Sequence, residues 1–339
     1  MGQFVIGMDI GYSNLKVCFG DTDDGSPMDL ALPAVSAPVA SVSSSLTGMH
    51  DEEGDGGVRV QVNGEAWLAG IPPSMSHRVV RELHEGYVGS PAWTALAHAG
   101  MLLGGRDTID RLVVGLPVHH FEDLSRRKAL RDLLSGAHQV TPKRRITVNR
   151  VSIVPQPIGA FFDALQWHRG DGKLEDEPLL VIDPGYFSVD WTLVHDMRYD
   201  AGASSSSMNA MSRLIEVTRS MMKEDYGAAP SQSLMEDAVR MGKQHMRIFE
   251  ASVEIEPYLR KAAQSVAVES LSELRTNIRQ VDTTITYLLL AGGGAELYAD
   301  AARTVFPRSA VLRSASPFMA NARGFWHFGV HLEAEDPDA

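Results

Sequence analysis

Val5-Ile6-Gly7-Met8-Asp9-Ile10-Gly11-Tyr12-Ser13, near the N-terminus, and Leu180-Val181-Ile182-Asp183-Pro184-Gly185-Tyr186-Phe187-Ser188, past the midpoint, read as two versions of one device. In each, an apolar run ends in Asp, any residue, Gly, Tyr, with a hydroxyl one or two positions later. Each then enters a second strand-like run, through Lys16 in the first and Asp190 in the second. Self-similarity over this distance predicts a duplicated unit.

Glycine in such a turn lets a ligand approach the backbone, and successive N–H groups there form an anion-binding concavity. The carboxylate before it suits a hydrated Mg²⁺, which prefers oxygen ligands and keeps several waters. Two such turns facing each other would grip a polyphosphate from both sides. Either turn alone is an ordinary hairpin with an Asp in it. The matched pair favours the clamp.

Working outward, Phe4 to Phe19 predicts two strands around Gly11–Asn14. Residues 25–64 are weakly patterned, and Asp51 to Gly57 is acidic and Gly-rich, a solvated loop followed by a strand at Val58–Val62. Pro91–Leu103 predicts a helix, Asp110–Leu116 a buried strand, Glu122–Leu134 a helix ended by Gly136, and Arg145–Ile153 a half-exposed strand. Another helix starts at Pro157. In the second half, Leu179–Val194 predicts two strands. A Ser-rich loop at Ser204–Ser207 then leads into a helix from about Met208 to Met222, and mostly helical pattern continues to Arg279. Strand Thr283–Leu290 ends in Gly292-Gly293-Gly294, helix Ala295–Phe306 follows, and a short helix at Asn321–Phe328 precedes an acidic tail. Strands alternate with helices, so the class is α/β.

The bulk numbers bound the function. At 339 residues, 44% hydrophobic and 22% charged, the chain can bury cores for two domains. A formal net charge of −12 argues against direct, broad nucleic-acid binding. The run Lys143-Arg144-Arg145 reads as a solvated turn. The single cysteine, Cys18, allows no disulfide within the chain, suits a reducing cytoplasm, and reads as a small buried hydrophobe. No secretory leader and no membrane-length apolar run is seen, so the expected location is cytoplasmic with no membrane partner. The chain has no G-x-x-x-x-G-K-[ST] loop, no G-x-S-x-G elbow and no H-E-x-x-H. Adjacent His119-His120, placed on a strand, would point to opposite faces and share no metal. Met208, Met211, Met221 and Met222 read as core or interface.

Three further segments fall where a nucleotide clamp needs parts. Gly292-Gly293-Gly294 joins a strand to a helix and allows close approach of a base and ribose. In Ile153-Val154-Pro155-Gln156-Pro157-Ile158-Gly159-Ala160, Gln156 stands between a strand end and a helix start, where a neutral amide can orient an attacking water. Asn321-Ala322-Arg323-Gly324 opens the last helix with small residues, as a packing hinge between halves would.

Those five segments, in that order, resemble the superfamily of actin, heat-shock-chaperone and sugar-kinase ATPases. Residues 5–19 and 180–194 resemble its two phosphate loops, 153–165 and 316–329 its connecting helices, and 286–300 its adenosine motif. Within it the chain is most similar to bacterial actin-like plasmid-segregation proteins of the ParM/StbA type, including the variant known as protein D of the PRTRC cassette. The features that favour this branch are Val113-Val114-Gly115-Leu116-Pro117-Val118 and the two loops running through Lys16 and Trp191.

The resemblance implies an actin-like (ribonuclease H-like) fold of two duplicated α/β halves around a nucleotide cleft. Domain I would be residues 1–165 plus 325–339, with a small subdomain at about 30–105. Domain II would be 166–324, with a helical subdomain at about 208–280. Asp9 and Asp183 would hold Mg²⁺ through waters. Gly11, Tyr12, Ser13 and Asn14, with Lys16 supplying charge, would face the phosphates, as would Gly185, Tyr186 and Ser188. Gly292, Gly293 and Gly294 would line the nucleoside pocket, and Gln156, with Asp183, would serve hydrolysis. The implied ligand is ATP, with GTP as the alternative. The implied partners are other copies in a head-to-tail filament and a separate basic DNA-binding adaptor. Tyr186-Phe187 departs from the common Gly-Gly/Ser-Thr-Thr pattern and removes a hydroxyl near the γ-phosphate, which puts nucleotide preference and hydrolysis rate in question. Competing readings are a monomeric ATPase, a small-molecule kinase of the same superfamily, for which the sequence offers no strong catalytic base, and a scaffold that holds nucleotide without hydrolysing it.

Overall fold

Strand β1 (Phe4–Ile10) is buried along its whole length, as a continuous apolar run covered on both faces must be. In this computed structural model, which describes residues 2–23, 26–42, 57–72, 86–168, 173–185, 188–207, 211–240, 243–278 and 284–335, β1 lies inside a six-stranded sheet. Strand β2 (Asn14–Asp21) returns antiparallel to it, and β3 (Met28–Pro33) continues the meander. Short strands β4 (Ser36–Pro38), β5 (Val58–Val62) and β6 (Glu65–Ala69) make their own sheet beside helix α1 (Pro91–Leu103), which Ser90 caps by accepting from the Trp93 N–H. Strand β7 (Thr108–Leu116) pairs parallel with β1. It is followed by α2 (Val118–Phe121), α3 (Leu124–Leu134), β8 (Gly136–Thr141), β9 (Arg144–Pro155) and α4 (Gln156–Trp167), giving the sheet order β3-β2-β1-β7-β9-β8.

The second sheet repeats this plan. After α5 (Lys173–Asp176), strands β10 (Leu179–Pro184), β11 (Val189–His195) and β12 (Arg198–Ser207) form an antiparallel meander. Helices α6 (Met211–Tyr226) and α7 (Gln232–Arg240), the hairpin β13 (His245–Ile248) and β14 (Ala251–Glu254), and the long α8 (Glu256–Ile278) come next. Strand β15 (Tyr287–Leu290) then pairs parallel with β10, and β16 (Ala310–Arg313) follows α9 (Ala295–Val305). The order β12-β11-β10-β15-β16 matches β3-β2-β1-β7-β9 strand for strand. The internal echo is therefore topological as well as local.

The chain divides into two units, Met1–Gly170 with Ser314–Ala339, and Asp171–Arg313. The sequence reading set these breaks at about 165 and 325. The last helix, α10 (Ala320–Glu335), packs as a whole on α4 and β1 of the first unit, so the return of the chain falls before it. On β1, Phe4, Ile6 and Met8 face α1, while Val5 and Gly7 face α10. A Cβ on Gly324 would stand 1.5 Å from the Gly159 carbonyl oxygen, so α4 and α10 touch backbone to backbone. At the same crossing Asp163 of α4 accepts from the Ser314 hydroxyl at 2.6 Å, and burial pushes its carboxyl above the usual range. Glu333 holds the far end of α10 through Arg111 and Arg150.

Several local expectations are corrected. Ser204–Ser207 is the end of strand β12: the Ser204 and Ser206 hydroxyls find acceptors within the sheet, and Ser207 donates to Glu273 of α8. The mostly helical stretch towards Arg279 holds α6, α7 and α8, and also the β13–β14 hairpin, whose turn lacks the usual Gly or Asn. Gly136 does end a helix but also opens strand β8, and α10 runs on to Glu335. His119 and His120 lie on helix α2, with ring centroids 4.1 Å apart, so they do not point to opposite faces. Met208 lies outside the described residues. Among the described residues no helix is long and apolar enough to cross a membrane.

Candidate functional site

The turn between β1 and β2 gathers three of the singled-out residues. Strand register places Asp9 opposite Lys16, and both residues are buried, at 2% and 9% exposure. The Lys16 ammonium donates to Asp9 Oδ2 at 2.9 Å. Gln156, the first residue of α4 and also buried, donates from Nε2 to Asp9 Oδ1 at 2.9 Å. One carboxylate thus carries a cation on one oxygen and a neutral amide on the other. Since the Gln156 NH₂ is donated inward, its Oε1 remains as an acceptor. Lys16 also lies over the Phe318 ring, 5.0 Å from its centroid. Phe318 escaped the sequence reading, because nothing in it marks a residue 302 positions away as a neighbour of Lys16.

The other members of this turn have separate tasks. Gly11 donates to the Asn14 carbonyl at 3.0 Å, closing the turn. A Cβ there would meet only Asn14 O, at 3.6 Å, which is ordinary contact. The polypeptide itself therefore makes no steric demand for glycine at this point. Ser13 accepts at its carbonyl from Ala34 N–H and at its hydroxyl from Asn14 Nδ2. The Tyr12 ring stacks on Tyr87 with centroids 5.0 Å apart, which commits it to packing in the first unit.

The second unit builds its turn differently. Asp183 is buried at the end of β10, and register sets Asp190 opposite it. Gly185 N–H donates to the Ser188 carbonyl at 2.9 Å, as Gly11 does to Asn14. Asp190 accepts from the Ser188 hydroxyl at 2.5 Å and from the Ser206 hydroxyl. Ser188 was singled out from sequence, whereas Ser206 was not. Asp190 is the counterpart of Lys16 that the sequence echo pairs with it, each seven residues after its Asp. Tyr186 lies outside the described residues. Gly294 N–H donates to the Pro184 carbonyl at 3.1 Å, which ties the glycine loop to this turn. Gly292 has φ +73°, and a Cβ there would stand 2.0 Å from Asp183 Oδ1. Only glycine satisfies both conditions. Gly293 is exposed, and Gly294 is the cap of α9.

Each unit thus presents a buried Asp at a strand end, a Gly-closed turn and a helix starting beside it. Two units of this topology define an actin-type fold. Residues 7–159 match the family model described as "Actin like proteins N terminal domain", and residues 181–303 match "Archaeal actin homologue MreB-like, C-terminal". The chain belongs to the actin-like superfamily. Among solved structures it is similar to Ta0583, an archaeal actin homolog, with 20% identity, a TM-score of 0.74, and 98% of this chain and 100% of that one covered. Ta0583 is also known in complex with ADP. A 15-stranded ParM filament from Clostridium botulinum gives 15% identity, a TM-score of 0.71, and 98% and 100% coverage. Bacillus thuringiensis ParM with ATP gives 14%, 0.63, and 99% and 100%. No curated protein sequence matches the chain.

Proposed function

We propose that the chain binds Mg-ATP through both turns, hydrolyses it, and assembles head to tail under control of the bound nucleotide. The observation that carries this is the buried constellation Asp9–Lys16–Gln156 at the end of a Gly-closed hairpin. It combines a carboxylate, a counter-cation and a neutral amide, the parts needed to hold charge and steer water beside a phosphate. The existence of an ADP complex of Ta0583 and an ATP complex of a ParM, both of similar fold, supports the choice of ligand.

The residues fit an outer-sphere Mg²⁺. Asp9 has one partner on each oxygen and keeps further lone pairs for a metal-bound water. Asp183 offers a second buried carboxylate from the other unit. A bound Mg²⁺ would neutralise phosphate charge. Lys16 adds positive charge from a side chain already fixed by its ion pair and by Phe318. Gln156, anchored through its NH₂, would direct Oε1 to accept a hydrogen bond from the attacking water and orient it. Ser188, whose proton is committed to Asp190, turns lone pairs outward and therefore orients a water in preference to a phosphate oxygen.

A ligand that contacts both turns favours the conformation in which both can reach it. Loss of the γ-phosphate removes part of that preference. Coupled to a heterologous contact that does not close, this gives a filament with a nucleotide clock. The ParM filament of similar fold supports this reading. The cellular task we assign is plasmid or DNA segregation of the ParM/StbA kind, with DNA reached through a separate basic adaptor because the chain carries net charge −12. The test is light scattering after addition of Mg-ATP or Mg-GTP, with phosphate release and negative-stain microscopy on the same sample. A rise with filaments, then decay as phosphate appears, is expected. Phosphate release without scattering leaves an ATPase and removes the filament. No response to either nucleotide removes the function.

A further inference from the structure

We propose that residues 314–319, by which the chain re-enters the first unit, position the two side chains bonded to Asp9: they hold Gln156 through Asp163, and Lys16 through Phe318. This deepens the hydrolysis proposed above and rests on it. Strand β16 ends the second unit at Arg313, and Ser314 is the next residue. The Ser314 hydroxyl donates to Asp163 Oδ2 at 2.6 Å and accepts from the Ser316 N–H at 3.3 Å. Met319 N–H in turn donates to the Ser316 carbonyl at 3.0 Å, just before α10 begins. The segment is thus folded on itself and tied down at its first residue.

Both attachments lead to the site. Asp163 is 1% exposed and stands seven residues after Gln156 on α4. That spacing is about two helical turns, so the two side chains share a face. Between them, a Cβ on Gly159 would lie 2.5 Å from the Asn321 carbonyl oxygen of α10, so α4 has no slack at that level. Burying a carboxylate costs free energy that an apolar side chain would not, so packing alone gives no reason for Asp163. A short helix moves as a rod, so a shift at Asp163 reappears at Gln156, and a misplacement of about 1 Å is enough to slow a reaction strongly. Four residues after Ser314, the Phe318 ring lies 5.0 Å from the Lys16 ammonium. A ring face attracts a cation, so Phe318 restrains the ammonium without competing for Asp9.

The experiment measures steady-state phosphate release from Mg-ATP by the parent, Ser314→Ala and Ser314→Thr. Ser314→Ala is expected to lower kcat about tenfold, as for one hydrogen bond to a charged group, while KM changes less than about twofold. Ser314→Thr keeps the hydroxyl and should return most of kcat. A lower melting temperature with kcat unchanged overturns the tie to Gln156, because a merely structural bond would act that way. A second set replaces Phe318 by phenylalanines with one, two and three ring fluorines, which weaken the attraction for a cation stepwise and barely alter shape. Here kcat/KM should fall with each fluorine, by about two- to tenfold over the series. A flat series makes the ring packing only and overturns the tie to Lys16. A parent that releases no phosphate overturns the proposed hydrolysis first, and this inference with it.

Discussion

The two hairpin turns share a register and differ in charge. Asp9 faces Lys16 across the first, and Asp183 faces Asp190 across the second. The first turn neutralises its carboxylate internally, with an ammonium on one oxygen and the Gln156 amide on the other. The second keeps two buried carboxylates and quiets Asp190 with the Ser188 and Ser206 hydroxyls. A duplicated scaffold thus supplies one turn whose buried charges balance and one that keeps two buried carboxylates. Matched backbones thus carry unmatched side chains, and the proposed Mg-ATP would meet a different chemistry in each unit.

The largest expected effect comes from breaking the ion pair of the first turn. Asp9→Ala should abolish phosphate release and also destabilise the first unit by about 3–5 kcal/mol, because a buried ion pair is broken by removing one partner. Adding Lys16→Met should restore much of the melting temperature and none of the turnover. If the single variant melts like the parent, the pair is not the internal neutraliser described here.

An intermediate effect separates water-steering from binding. Gln156→Ala should retain ATP in a filter-binding assay while turnover falls on the order of 10²-fold. Ser188→Ala and Asp190→Asn should each lower turnover by about tenfold, as expected for one hydrogen bond to a charged group. Loss of ATP binding in the Gln156 variant, or a Ser188 effect without an Asp190 effect, would break the proposed division of labour.

The smallest effect concerns pH and belongs to the first unit. Burial, then His119 and Arg126, push His120 down to about 4 from 6.5. The unfolded chain therefore takes up this proton near pH 6.5 and the folded chain only near pH 4. Stability should fall as pH drops between those values and level off below them. His120→Leu should flatten that part of a denaturant-midpoint-versus-pH curve. An unchanged slope would mean that His120 is charged when folded.

Much of this was legible from local pattern. The hairpins at Asp9 and Asp183, the helix starting at Gln156 and the glycine loop at Gly292 announce themselves through apolar runs ending in short polar turns. Less legible were the elements whose cues conflict with their setting. The Ser-rich end of β12 has loop composition but is a strand, with Ser204 and Ser206 satisfied in the sheet and Ser207 on Glu273 of α8. The β13–β14 hairpin was missed because Phe249 occupies a position where a turn residue is expected.

By itself the sequence determined the duplication, the α/β class and the candidate residues, since those depend on periodicity and on residue types a few positions apart. Only the tertiary structure decided which of them meet. It placed Lys16 and Gln156 on the two oxygens of Asp9, Asp190 between two serines, and Phe318 under Lys16. It also returned the whole of α10 to the first unit, where Gly324 lies on Gly159. Those of Gln156 with Asp9, of Phe318 with Lys16 and of Gly324 with Gly159 span 147 residues or more, and arise from strand pairing and close packing, which no local pattern encodes.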